Sequence, residues 1–241
     1  MKTIAYTALA YGSPYLPWAI RSVIDHVNEY YVLYSADGSH SHKSTLPLPV
    51  SESRSNLLRL AKLVAGDKLR WIDGDWTQEG EQRDSIHTIV PDADVILVLD
   101  YDEVWQDVPL IIEQATGHEN RVSMVHFWRS FHRAVLHDPA YPIRVIRPKT
   151  EAIGTTVHPA PIAHMGYAIP SELMTYKRGI HGHKAQFRTD IDWWADRWMV
   201  NAQHDCHPVG SEYWNPEAVN PLDYMPDFMQ AHPYFDKDVI E

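Results

Sequence analysis

Residues 95–99 read VILVL, and the four that follow are Asp100, Tyr101, Asp102 and Glu103. Five consecutive β-branched or leucine residues describe a strand buried on both faces, and such a strand delivers acidic side chains only where it ends. Two aspartates one residue apart at the carboxyl end of a central strand suit a hard divalent cation carrying a phosphorylated ligand. The segment also reads as a solvated acidic turn capping a helix that starts near Val108, because carboxylates favour helix N-termini. A cap needs one carboxylate, and this segment holds three.

The chain before this point alternates strand and helix. A strand is expected at residues 3–10, then a loop, then a helix opened by Pro17 whose apolar positions Trp18, Ile20, Val23, Ile24 and Val27 follow the helical period. A second strand at 30–34 runs towards Asp37 and Gly38. The polar tract 35–45 is too long for a tight turn. A helix over 56–64 and a short strand over 69–72 follow, the latter closed by Asp73 and Asp75. A charged helix over 77–90 then leads into the strand before Asp100. Such alternation implies an α/β fold with a mostly parallel central sheet, helices on both faces and ligands at the strands' carboxyl ends. Asp37, Asp73, Asp75, Asp100 and Asp102 all fall at such ends.

The 241 residues, 44% of them hydrophobic, bury a substantial core and favour one domain over 1–241, with 1–107 as the ligand- and metal-binding half and 108–241 as the other. A formal charge of -11 disfavours a polyanionic partner such as duplex nucleic acid. The single cysteine, Cys206, and an N-terminus without a long apolar core fit a cytoplasmic protein of a reducing compartment. No apolar stretch approaches the roughly 20 residues of a membrane span.

After residue 120 the alternation weakens. Residues 122–128 and 142–147 read as strands of a hairpin added to the sheet, 157–164 as a proline-rich loop, and 171–177 as the start of a helix. Residues 190–200 form another helical stretch, and the proline- and aromatic-rich tail from Tyr213 is expected to wrap the body.

Four stretches together resemble glycosyltransferases of the GT-A fold, especially small family-2-like enzymes of bacteria and bacteriophages. Residues 11–39 look like the opening unit with its Asp-Gly-Ser end, and residues 82–84 (Gln-Arg-Asp) resemble the helix segment before the metal motif. Residues 99–104 form a D-x-D-type motif, and residues 164–174 with Lys177 resemble a signature of histidine, aromatic, glycine, aromatic, then helix with lysine. The resemblance implies a metal-dependent transfer of a sugar from a nucleotide-diphosphate donor to a saccharide or other acceptor hydroxyl, with the acceptor region in the C-terminal half. By it, Asp37 contacts the base or ribose, Asp100 faces the ribose or the metal, and Asp102 binds Mn²⁺ or Mg²⁺ bridging the diphosphate. A divalent ion there neutralises the leaving group without proton transfer. Asp37 reads equally as a turn aspartate before Gly38.

His164 is the candidate third metal ligand, its imidazole better suited to manganese than to calcium; it also reads as a hydrogen-bonded loop histidine. His181 and His183 compete for that place. Arg83 either reaches the donor phosphates or pairs with Glu79 four residues earlier. Arg144 and Arg147 lie three apart on a strand, so at most one faces the site; Arg144 is taken as donor-binding. The tryptophans at 193, 194 and 198 read as core more readily than as an acceptor platform. Asp138 and Glu103 are the candidate general bases, and no motif chooses between them. Two alternatives stand beside the main reading. One is a phage-type enzyme acting on hydroxymethylated bases of DNA, for which Lys177, Arg178, Lys184 and Arg188 are the basic cluster. The other is a noncatalytic nucleotide-sugar-binding protein.

Overall fold

The computed structural model describes residues 1–36, 52–180, 186–210 and 212–240; Asp37, most of the polar tract, His181, His183 and Lys184 lie outside them. Strand β1 (Thr3–Leu9) leads through α1 (Leu16–Val23) to β2 (Glu29–Tyr34). The chain then passes through α2 (Arg54–Ala65) to β3 (Leu69–Asp73) and through α3 (Glu79–Ile89) to β4 (Val95–Val98). These four strands are mutually parallel in the order β3-β2-β1-β4. The chain therefore winds outward to β3 and returns to the far side of β1, and the topological switch point lies between β1 and β4. Ligands of open α/β sheets bind in the crevice at that point.

The strands' period of two sends alternate residues to opposite faces. Ala5, Leu9, Tyr30, Val32 and Leu97 pack with Leu16, Ile20, Leu57 and Ala61 of α1 and α2. Ile4, Tyr6, Tyr31, Leu33 and Ile96 pack against Ile86 of α3 on the other face. The expected α/β layering is thus present, with helices on both sides.

Beyond β4 come β5 (Glu103–Val104), α4 (Val108–Gln114), β6 (Glu119–Trp128), β7 (Arg133–Val135), β8 (Ile143–Ile146), β9 (Thr156–Tyr167), α5 (Ser171–Ile180) and β10 (Glu217–Ala218). Strand β8 inserts between β4 and β6, antiparallel to both, and extends the parallel sheet into a mixed one; it meets β6 through residues 119–121, whereas 122–128, expected as its hairpin partner, pairs mainly with β7 and β9. The segment 157–164, expected as a proline-rich loop, is instead part of β9, parallel to β6 and antiparallel to β5. Proline removes a ladder donor and is confined to irregular strand positions. Here the register jumps from Val122↔Val157 to Met124↔Ile162, and Pro159 and Pro161 fall inside that irregularity.

A π-helical turn occupies Trp194–Met199, and the tail is pinned by short 3₁₀ turns at Pro221–Asp223 and Asp227–Ala231. Trp193 and Trp198 are buried against Trp128, which makes them core. The tail closes over the body through Val239 N–H to the Arg129 carbonyl (2.9 Å) and the His232 ring against the Pro14 carbonyl (3.1 Å). Among the described residues no helix is long and apolar enough to cross a membrane.

Candidate functional site

The acidic segment leaves β4 at the switch point. Capping of α4 falls to Asp107, whose φ of 43° turns its side chain onto the Leu110 N–H, so Asp100, Asp102 and Glu103 are not needed as caps. Strand β5 then pairs with β9 so that Glu103 lies opposite His164, and the Met165 N–H donates to the Asp102 carbonyl at 2.7 Å. On its other edge β9 sets His164 level with His126 of β6. Three strands thereby align Glu103, His164 and His126 in one row.

Two charge clusters flank this row. In the first, Asp100 receives Arg83 on Oδ1 and Arg144 on Oδ2, the latter at 2.7 Å. Arg83 also holds Glu79 (2.8 Å), the partner expected four residues earlier, while its other contact is Asp100. Arg144 donates from Nε to Glu103 at 2.8 and 3.0 Å. Burial pushes the Asp100 carboxyl up, but the two guanidiniums more than reverse this and hold it well below the usual range. Burial raises Glu103, 0% exposed, to about 7 against the pull of Arg144. Arg147 points away and donates to the Ala115 and Ile112 carbonyls, as the strand parity required.

The second cluster centres on Asp102, 2% exposed. Its Oδ2 accepts from Lys177 Nζ of α5 at 2.9 Å, and its Oδ1 stands 3.8 Å from His164 Nε2. Gly166 makes this convergence possible, since a Cβ there would come within 2.4 Å of both His164 Nε2 and Lys177 Nζ. Behind His164, Nδ1 faces the Nδ1 of His126 at 2.8 Å. The far nitrogen of His126 stands 3.5 Å from Asp138 Oδ2, which accepts the Trp214 indole N–H at 2.7 Å. Burial, then the mutual proximity of the two rings, lowers His126 to about 3, while burial and Lys177 hold His164 well below its ordinary value. Both shifts favour the uncharged imidazole.

The same loop region contains an anchor that no motif singles out. Glu52 accepts from the Gly12 N–H at 2.6 Å and from Ser13, fixing the turn after β1. Tyr101 lies against Gly12, whose φ of 132° and lack of a Cβ admit the ring. Asp73 is exposed and bound to Arg54, away from both clusters. Within the expected basic cluster, Lys177 pairs with Asp102, Arg178 covers the Phe187 and Trp193 rings, and Arg188 pairs with Asp190 and Asp205. Each described member of that cluster is thus engaged within the protein.

Asp102 and His164 meet the first requirement of a cation site. Their facing atoms are closer than twice the about 2.1 Å of a magnesium–oxygen bond, so one ion can reach both. Among the described residues no group of three or more His, Cys, Asp or Glu side chains converges as a ready-made metal cage. Such a two-ligand arrangement suits a metal whose remaining positions are filled by phosphate and water oxygens. A cavity of about 670 Å³ is lined by His137, His204, Glu212, Tyr213 and Asn215 among others, which include the chain neighbours of Asp138 and Trp214.

No protein-family model matches the chain, and no curated protein matches it. Solved structures with some likeness include the galactosyltransferase LgtC in complex with donor and acceptor sugar analogs, at 17% identity and a TM-score of 0.35 over 51% of this chain and 46% of that one. S. aureus TarS 1-349 matches at 12% identity and 0.43 over 75% and 64%, and HddC from Yersinia pseudotuberculosis at 11% and 0.43 over 73% and 97%. The chain thus spans about half the length of LgtC and just under two thirds of that TarS fragment. Likeness of this degree carries no activity across, and the functional reading rests on the site itself.

Proposed function

We propose that the chain transfers a glycosyl group from a nucleoside-diphosphate sugar to an acceptor hydroxyl, with the diphosphate seated over Asp102, His164 and Lys177. One observation carries the reading. A buried carboxylate, a neutral imidazole and an ammonium, from three separate elements, meet at the carboxyl end of β4 beside the sheet's switch point. In this reading Asp102 and His164 hold Mn²⁺ or Mg²⁺, which when bound neutralises the charge that builds on the departing diphosphate. Lys177 supplies a further point charge for phosphate oxygens. Asp100, kept ionised by Arg83 and Arg144, is assigned to the ribose side or the metal, and Asp37 to the base or ribose.

Acceptor binding is assigned to the second half, where the cavity beside Asp138 and Trp214 offers an aromatic ring, two imidazoles and amide groups suited to hydroxyls. Of the two carboxylates considered as general base, Glu103 is sealed behind Arg144, and Asp138 is held by Trp214 and His126. In this reading both support the site rather than act at its mouth.

Replacing Asp102 by Asn tests the reading. Circular dichroism is expected to be unchanged, while calorimetric binding of UDP with Mn²⁺ and release of UDP from UDP-sugars are lost. Binding and release equal to those of the unaltered protein would refute the assignment. A thermal-shift screen of other nucleoside diphosphates, with and without Mn²⁺, identifies the base.

A second reading is favoured by the 2.9 Å contact itself: Lys177 already sits on Asp102, and an ammonium alone can neutralise a diphosphate. Activity that survives EDTA would select this metal-free version. The reading as a DNA-modifying enzyme finds its described basic residues already engaged, as given above.

A further inference from the structure

The two imidazoles that meet at Nδ1 share a single proton, because a 2.8 Å contact between ring nitrogens requires one donor and one acceptor. Two arrangements are open to a neutral pair. In one, His126 carries its proton on Nε2 and His164 carries its proton on Nδ1. In the other, both protons are exchanged, so that His126 Nε2 is bare and His164 Nε2 is protonated towards Asp102.

The flanking charges decide between them. His126 Nε2 is buried without a hydrogen bond and faces the Asp138 carboxylate at 3.5 Å, where a lone pair is repelled and an N–H is favoured. Asp138 is otherwise met by two neutral donors, the indole N–H of Trp214 and the Ala140 N–H. At the opposite end Asp102 lies farther off, at 3.8 Å, and is already neutralised by the Lys177 ammonium, whose charge beside His164 Nε2 disfavours a proton there.

We propose that His126, backed by Asp138, is a positioning residue that locks His164 in the Nδ1–H tautomer and so presents a bare Nε2 lone pair towards Asp102. Metal-bound histidines commonly have their second nitrogen fixed in this way, by a carboxylate or carbonyl. Here a second imidazole relays the carboxylate from Asp138, 26 residues before His164 in sequence. The consequence for ligand binding rests on the cation reading given above, whereas the tautomer does not.

The test uses the full chain labelled with ¹⁵N-histidine, free of metal, together with His126→Asn and His126→Phe. Asparagine places a carbonyl oxygen where Nδ1 stood and can still accept from His164, whereas phenylalanine cannot. Two-bond ¹⁵N–¹H correlation is expected to show His164 protonated at Nδ1 in the unaltered and Asn proteins. Calorimetry with Mn²⁺ and UDP is expected to give similar affinities for those two and a loss of about 10- to 100-fold for the Phe variant. A protonated Nε2 on His164 in the unaltered protein would overturn the inference, as would an Asn variant that binds as poorly as Phe. If the tautomer is as expected but none of the three proteins binds Mn²⁺, the cation reading fails and the tautomer lock stands.

Discussion

Arg144 clasps Glu103 from within the protein: its Nε lies 2.8 Å from one carboxylate oxygen and 3.0 Å from the other, while Nη2 reaches past to Asp100 at 2.7 Å. One guanidinium thus holds two of the three carboxylates that follow β4. Removing one partner of a buried ion pair leaves an uncompensated charge, at a cost of about 3–5 kcal/mol. Arg144→Leu is therefore expected to lower the free energy of unfolding in urea by about that amount, and Arg144→Lys to recover only part of it, because an ammonium lacks the planar fork. A change within about 0.5 kcal/mol, as at an ordinary surface position, would show that the cluster is not held together this way.

The same pair sets a pH dependence. Burial raises the Glu103 carboxyl from 4.5 to about 7, so the folded state favours its protonated form. That contribution to stability is fully present below about 4.5 and is lost as pH rises through about 7. Asp100, held low by its two arginines, acts in the opposite sense, and its contribution is lost only as pH falls below the ordinary 3.8. Thermal unfolding from pH 5 to 8 is expected to show a stability decline in the unaltered protein that Glu103→Gln removes. A parallel pair of curves would mean that Glu103 does not titrate in this window.

The parts of this fold that could be read from the chain were those with a local cause. The VILVL run, the helix opened by Pro17 and the opposite facing of Arg144 and Arg147 each follow from a period of two or 3.6. Strand β9 was hidden because its prolines argue for a loop, and only pairing with β5 and β6 makes it a strand. His126 and Trp214 were hidden for a related reason. Nothing near either residue marks it, and its role depends on a register that aligns His126 with His164 across 38 residues. Glu52 stands 40 residues from the Gly12 amide it anchors. The acidic motif was legible as the end of a buried strand, and Arg83 and Arg144 as candidates beside it, but the pairing of those arginines with Asp100 and Glu103 was not.

Gly166 permits the closeness of His164 and Lys177. A methyl group there would meet both side chains at 2.4 Å; the lysine tip can swing aside, but the ring, tied at Nδ1 to His126, cannot without breaking that contact. Gly166→Ala is expected to fold and to lose affinity for UDP with Mn²⁺ by about 10- to 100-fold, comparable to the loss of an outer-shell partner. Isothermal calorimetry checks this, and unchanged affinity would show that His164 is not required where it stands.

Lys177 and a metal ion meet at one carboxylate, the ammonium on Oδ2 and the ion's place between Oδ1 and His164 Nε2. In the nucleotide-free protein the ammonium on Oδ2 repels a divalent ion at Oδ1, so its removal favours the ion. Lys177→Met also leaves a buried carboxylate without its partner, which lowers the stability of the metal-free variant. Binding to the folded state then restores stability by mass action. The expected result is a larger Mn²⁺-induced rise in melting temperature for Lys177→Met than for the unaltered protein, alongside weaker UDP binding because a phosphate contact is missing. If Lys177 is itself the neutralising cation, the outcome differs: Mn²⁺ stabilises neither protein, and the variant loses UDP binding whether or not the metal is present.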